Sequence, residues 1–202
     1  MKRKIVLAST SPRRQKLLRR YIKNLQVIPP KIDEEEIKEN DPRRKVLKTA
    51  VMKAESIMEE VKEGIIIAAD TIIELDGKII GKPRNLNEAK EILLELNGRK
   101  HKVITGVVVI DCEKKRRIMD IVETEVYMKN LSIEEIEFYV KTKEPLGKAG
   151  AYAIQELGAI LINKINGCFY NVVGLPLPKL YEMLKEVNVN LLEEYLMGGR
   201  EH

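Results

Sequence analysis

Residues Gly64 to Ala69 form an unbroken apolar run, rich in isoleucine, that stops on an acid, Asp70. No polar residue alternates with the apolar ones, so neither face of this stretch can be left to water. The pattern predicts a fully buried strand, the kind found inside an α/β sheet. Ile5 to Ala8 is a shorter run of the same type, and it leads at once into Ser9-Thr10-Ser11-Pro12. Ser at the cap and Pro at the first helical position start a helix there.

The rest of the chain repeats the alternation. Leu17, Leu18, Tyr21 and Ile22 share one face of the first helix, and Leu25 to Ile28 reads as a second strand closed by Pro29-Pro30. Asp41-Pro42 opens a helix reaching Val61, with Val46, Leu47, Ala50 and Ala54 on one side. Beyond Asp70, Thr71 to Leu75 and Lys78 to Gly81 flank Asp76-Gly77. That is a hairpin signal, because Asp-Gly supplies the positive φ of a tight turn. Asn85-x-x-Glu88 resembles a capping box for a helix that stops at Asn97-Gly98. Lys102 to Cys112 and Arg117 to Lys129 pair as long strands, and Ser132-x-x-Glu135 caps a helix to Thr142. Ala159 to Ile165 is a further strand, Asn166 to Leu175 a glycine-punctuated loop, and Pro178 to Val187 the last helix. Helices alternating with strands, two hairpins among them, predict an α/β fold on a mixed sheet. At 202 residues the chain is one globular domain, or one domain with a lobe.

Composition excludes some functions. The net charge of +5 is modest and both signs are plentiful. A sequence-independent nucleic-acid binder concentrates its charge more strongly, so the excess suits a protein holding one compact polyanion. Cys112 and Cys168 have no metal-type spacing, and the apolar stretch after Met1-Lys2-Arg3-Lys4 is too short for a signal peptide. A soluble protein of the reducing cytoplasm is expected, with no membrane partner. His101 and His202 are the only histidines. A Ser-His-Asp or zinc site is therefore hard to build, and hydrolysis through a covalent nucleophile is rejected. The G-x-x-x-x-G-K-[ST] phosphate loop is absent.

Several residues are candidates for chemistry, each with a plain structural alternative. Ser9, Ser11, Arg13 and Arg14 gather hydroxyls, free N–H groups and guanidinium charge at a helix start, a suitable place for phosphate; the alternative is a capped helix with a solvated basic turn. Asp70 ends a buried strand, where it can orient water or hold Mg²⁺; otherwise it caps a turn. Lys82 sits on a rigid turn between Gly81 and Pro83. Lys53 lies mid-helix, where an exposed lysine is the ordinary reading. The acidic run Asp33-Glu34-Glu35-Glu36 is a solvated loop or the source of one metal ligand.

Five blocks of sequence, in order, carry a family resemblance: LASTSPRRQKLL, AADTIIELDGKIIGKPRN, LNGRKHKVITGV, EPLGKAGAYAIQ and NVVGLPL. Together they span residues 5 to 178 and resemble the Maf (septum-formation-like) nucleotide pyrophosphatases. The resemblance implies a single domain over residues 1–202, with a long twisted mixed sheet flanked by helices. It implies two lobes and a central cleft, as in the inosine-triphosphate-pyrophosphatase type of fold. It further implies hydrolysis of nucleoside triphosphates to monophosphate and pyrophosphate, dependent on Mg²⁺ or another divalent cation such as Mn²⁺, in a homodimer. By motif, Ser9, Ser11, Arg13, Arg14 and Lys53 would bind the phosphates, and Glu34 and Asp70 would hold the metal. Asp70, Lys82 and Glu34 would carry the catalysis. Asp70-Thr71 and the later Gln155 resemble the dTTP/UTP branch, in which Thr71 and Gln155 would favour a pyrimidine. A 7-methyl-GTP or other purine activity on the same fold is one alternative, and a nucleotide-binding regulator of cell division without catalysis is another. Two departures stand out. Ala153 replaces a frequent Gly, which would strain the chain if φ is positive there, and Asn97 replaces a usual Ser, which is expected to be neutral.

Overall fold

The computed structural model describes residues 3–34 and 36–197; Glu35 of the acidic run and His202 lie outside them. The chain is mixed α/β. In order it forms β1 (Ile5–Ala8), α1 (Pro12–Leu18), β2 (Gln26–Ile28), α2 (Pro42–Glu55), β3 (Ile65–Leu75), β4 (Lys78–Ile80), α3 (Leu86–Leu96), β5 (Lys100–Asp111) and β6 (Arg116–Met128). Then follow α4 (Ile133–Lys141), β7 (Ile162–Asn166), α5 (Phe169–Val173), α6 (Leu177–Glu186) and α7 (Leu191–Met197). One sheet runs β2-β1-β3-β5-β6-β7, with β4 paired to β3. β1 is parallel to both β2 and β3, whereas the β3–β4 and β6–β7 pairs are antiparallel.

Three sequence expectations change. β3 does not end at Asp70 but continues to Leu75, so the acid is mid-strand. Its first part pairs with β1 and its last part with β4, and the charge is tolerated between them because Lys53 answers it. α1 and α2 stop at Leu18 and Glu55, short of the apolar periodicity, which carries on as tight turns: Ile22, Ile57 and Val61 remain buried there. The supposed loop after Asn166 contains α5, and α7 follows the helix expected to be last.

The residues form two compact units. The first comprises the chain up to Asp70, Thr105–Val122 and the part from Gly174 onward; the second comprises Thr71–Ile104 and Glu123–Val173. In the first unit Ala50, Ala54 and Ile57 of the α2 region pack on Val6 and Ala8 of β1, Ile66 and Ala68 of β3, and Val108 of β5. The opposite parity, Ile5, Leu7, Ile65 and Ile67, is buried as well, so these strands are covered on both faces. Gly106 sets how close α2 can come. A Cβ there would lie 2.6 Å from the Val46 carbonyl and 2.7 Å from the Leu47 nitrogen. With no side chain on β5 at that point, the helix backbone rests directly on the strand, and Lys53 further along α2 is aimed accordingly.

In the second unit the Asp76-Gly77 turn has φ of 49° and 82°, as the hairpin signal requires. The capping box at Ser132 and Glu135 forms in full. The Asn97 side chain accepts from the Leu131 N–H at 2.9 Å and donates to its carbonyl at 2.8 Å, so it joins the end of α3 to the start of α4. Ala153 is not among the residues with positive φ; the left-handed residues just before it are Gly150, at 69°, and Ala151, at 60°.

His101 is 2% exposed, and its Nε2 lies 2.8 Å from the Tyr152 hydroxyl. Its Nδ1 has no hydrogen-bond partner among the described residues. Protonating the ring would strand a second N–H in the core, and burial lowers its pKa from 6.5 to about 4. Between those values the unfolded chain binds a proton that the folded chain refuses. Stability should therefore fall as pH drops from about 6.5 towards 4, by on the order of 3 kcal/mol, and level off below. Denaturant unfolding of wild type and His101→Gln at pH 7 and near pH 4 checks this. Equal losses in the two proteins would show that another group governs the acid limb.

Candidate active site

The first unit gathers opposed charges around a buried lysine. Lys53 lies in the last turn of α2 and is only 4% exposed. Its Nζ is 2.8 Å from Oδ1 of Asp70 on β3 and 2.8 Å from Oε1 of Glu34, in the segment after β2. An ammonium this deep needs charge-assisted partners, and it has two. Asp70 is nearly buried and Glu34 is exposed, so one carboxylate comes from the sheet and the other from solvent.

Arg14 is the second buried cation. It follows Pro12 and Arg13 in α1, and its Nε donates to the Gly174 carbonyl at 2.6 Å. Burial pulls its pKa below the ordinary value; the charge of Asp70 opposes that fall, Arg13 adds to it, and Glu34 also opposes it. Arg14, Arg13, Asp70 and Glu34 are thus close enough to feel one another's fields. Within one unit the fold brings together two anions and three cations named from the sequence.

The helix start works differently from the sequence expectation. Ser11 is the N-cap of α1, but its side chain makes no capping bond. Ser9 braces the turn just before the helix: its Oγ accepts from the Ser11 N–H at 3.1 Å, and its carbonyl accepts from Gln15 Nε2 at 3.2 Å. Ser9 is buried and committed to this turn, while Ser11 and Arg13 are half-exposed.

The remaining candidates belong to the second unit. Thr71 follows Asp70 on β3. Lys82 is exposed on the segment between β4 and α3, and Gln155 is exposed in a turn between two short 3₁₀ turns, Ala149–Ala151 and Leu157–Leu161. The Gly150 N–H donates to the Gly81 carbonyl at 3.1 Å, so the segment carrying Gln155 and the turn carrying Lys82 are joined through backbone.

Among the described residues no group of three or more His, Cys, Asp or Glu could hold a metal ion. The Glu34 and Asp70 carboxylates are hard oxygen donors. Such a pair fits a Mg²⁺ that relies on substrate phosphates for further ligands, and does not amount to an all-protein cage. The Gly174 carbonyl is the feature that residue-by-residue reading missed. It lies inside the NVVGLPL block, but it is a backbone group, and no side chain marks it. No helix of the described residues is long and apolar enough to cross a membrane.

The family model described as Maf-like protein matches residues 4–187. The chain is 45% identical over 183 residues to the dTTP/UTP pyrophosphatase of Carboxydothermus hydrogenoformans, covering 91% of this chain and 98% of that one. It is 50% identical over 185 residues to the protein of the same name from Clostridium botulinum, with coverage of 91% and 98%. Among solved structures, a HAM1 protein from Coxiella burnetii matches with a TM-score of 0.50 at 18% identity, covering 92% of this chain and all of that one. At such low identity the likeness shows the fold alone. A family model matching nearly the whole chain and relatives 45–50% identical over nine-tenths of it show one thing: the chain belongs to the Maf family.

Proposed function

We propose that this protein hydrolyses nucleoside triphosphates, dTTP and UTP foremost, to the monophosphate and pyrophosphate. The observation that carries this reading is Lys53, buried and shared between Glu34 and Asp70 beside Arg14. A triphosphate has about four negative charges, and water reaches its α-phosphorus only once they are partly neutralised. Arg13, Arg14, Lys53 and, by the family resemblance, Lys82 supply that charge. Lys53 has three N–H donors and spends two on carboxylates, which leaves one for a phosphate oxygen. Asp70 holds the attacking water and takes its proton, so no covalent intermediate forms. Glu34 and Asp70 would hold Mg²⁺, which supplies charge neutralisation when bound. The pyrimidine preference rests on Thr71 and Gln155 and on the names of the relatives. The resemblance also favours a homodimer, and two free cysteines suit the cytoplasm.

The test is a panel of dTTP, UTP, ATP, GTP and 7-methyl-GTP, with and without Mg²⁺, with products separated by chromatography. UMP and pyrophosphate from UTP are expected, with the pyrimidines turned over fastest. UDP and orthophosphate as first products would overturn the reaction. A purine as best substrate would move the chain to the other activity of this fold, and binding without turnover would make it a regulator.

A further inference from the structure

We propose that Tyr139 and Glu144 are positioning residues for base selection: they fix the segment that presents Gln155. The inference rests on the reading of Gln155 as the residue that meets the base. Tyr139 stands on α4 and is 4% exposed. Its hydroxyl donates to Glu144 Oε1 at 2.9 Å and accepts from the Ala153 N–H, two residues before Gln155. Glu144 then reaches across the segment to its far side. Oε2 accepts from the Leu157 N–H at 3.0 Å, and Oε1 accepts from the Gly158 N–H at 2.9 Å. One carboxylate and one phenol thus hold the chain on both sides of Gln155.

The clamp is packed as well as bonded. A Cβ on Gly158 would lie 2.7 Å from the Tyr139 oxygen and 2.8 Å from the Ala153 nitrogen and oxygen, so only glycine lets the two sides of the turn close. Glu144 is itself held, because its N–H donates to Thr142 Oγ1 at 3.2 Å and its carbonyl accepts from Lys148 Nζ. On the same segment Tyr152 is tied to His101. Buried or bonded residues therefore flank an exposed tip, Gln155 and Glu156. A carboxylate directed at the first two N–H groups of the Leu157–Leu161 turn caps that turn and ties it to the end of α4. Its effect is to hold a polar side chain at a defined place, which hydrogen-bond discrimination between bases demands.

The experiment measures kcat and KM for UTP and GTP, well below each protein's Tm, in wild type, Tyr139→Phe, Glu144→Gln, Gln155→Ala and the double variant Tyr139→Phe/Gln155→Ala. Tyr139→Phe should lower the UTP:GTP ratio of kcat/KM by about tenfold, roughly one hydrogen bond's worth, with kcat on UTP changed little. Glu144→Gln should act in the same direction. In the Gln155→Ala background, Tyr139→Phe should have no further effect on the ratio, because both act through one side chain. If Tyr139→Phe and Glu144→Gln lower only Tm and leave the ratio intact, or if Tyr139→Phe and Gln155→Ala each lower the ratio and their effects multiply in the double variant, the clamp is merely structural and the proposal falls. If Gln155→Ala leaves the ratio unchanged while Tyr139→Phe lowers it, the reading of Gln155 fails but positioning by the clamp stands.

Discussion

Asp70→Asn is expected to cut turnover of UTP by at least about 100-fold, the low end of general-base contributions, while the chain still folds. Asn keeps the shape and an acceptor oxygen for the Lys53 ammonium but removes the charge and the basicity. Asp70 sits mid-strand and nearly buried, so the change also weakens a buried ion pair. Glu34 still holds Lys53 from the other side, so the stability lost should be less than the ~3–5 kcal/mol of an outright broken buried pair. Nucleotide affinity should fall little or rise, because a negative charge near the triphosphate has gone. Turnover, Tm and nucleotide binding on one purified batch check all three. A folded, nucleotide-binding variant with near wild-type turnover would remove Asp70 from the chemistry. A variant that melts far below wild type would make Asp70 chiefly the anchor of Lys53.

Lys53→Met is expected to do more damage, and of a different kind. It leaves Glu34 and Asp70 facing each other's charge without the ammonium that both contact. Removing one member of a buried pair costs about 3–5 kcal/mol. In a chain of this size each kcal/mol is worth about 2–4 °C in Tm, so a fall of about 10 °C is expected. Activity should drop as well, by about 10²-fold in kcat/KM, since a charge-assisted bond to phosphate is worth roughly 1.5–3 kcal/mol. Two consequences are specific. Mg²⁺ should raise the Tm of this variant more than that of wild type, because the ammonium no longer competes for the same two oxygens. Adding Asp70→Asn should restore part of the lost stability, because it removes one of the stranded charges. Thermal melts of the two single variants and the double variant, with and without Mg²⁺, decide it. A Lys53→Met protein with wild-type Tm and no added response to Mg²⁺ would show that the two contacts carry no weight.

What could be read from the sequence follows from how local each signal is. The Ser132 capping box and the Asp76-Gly77 hairpin each need only a few adjacent residues, and both appear where expected. Apolar periodicity located burial correctly at Ile22, Ile57 and Val61 but could not tell a helix from the tight turns that succeed it. From the sequence Asp70 reads as a strand end, because a charge inside an apolar strand is costly. The partner that makes it affordable lies 17 residues earlier, on another element. Family motifs named Arg14, Glu34, Lys53 and Asp70; only the structure shows that one lysine contacts both acids. The Gly174 carbonyl and the Glu144 clamp are illegible for a common reason: in each a side chain meets backbone groups, which every residue possesses.

The hydrogen bond from Arg14 to Gly174 spans 160 positions of the chain, and the bond from Arg3 to the Val187 carbonyl spans 184. The first unit is thus closed by bonds between stretches far apart in sequence. The second unit is drawn from two stretches between Thr71 and Val173. The orientation of the Arg14 guanidinium is therefore a long-range property, set by closure of the first unit and not by its own helix.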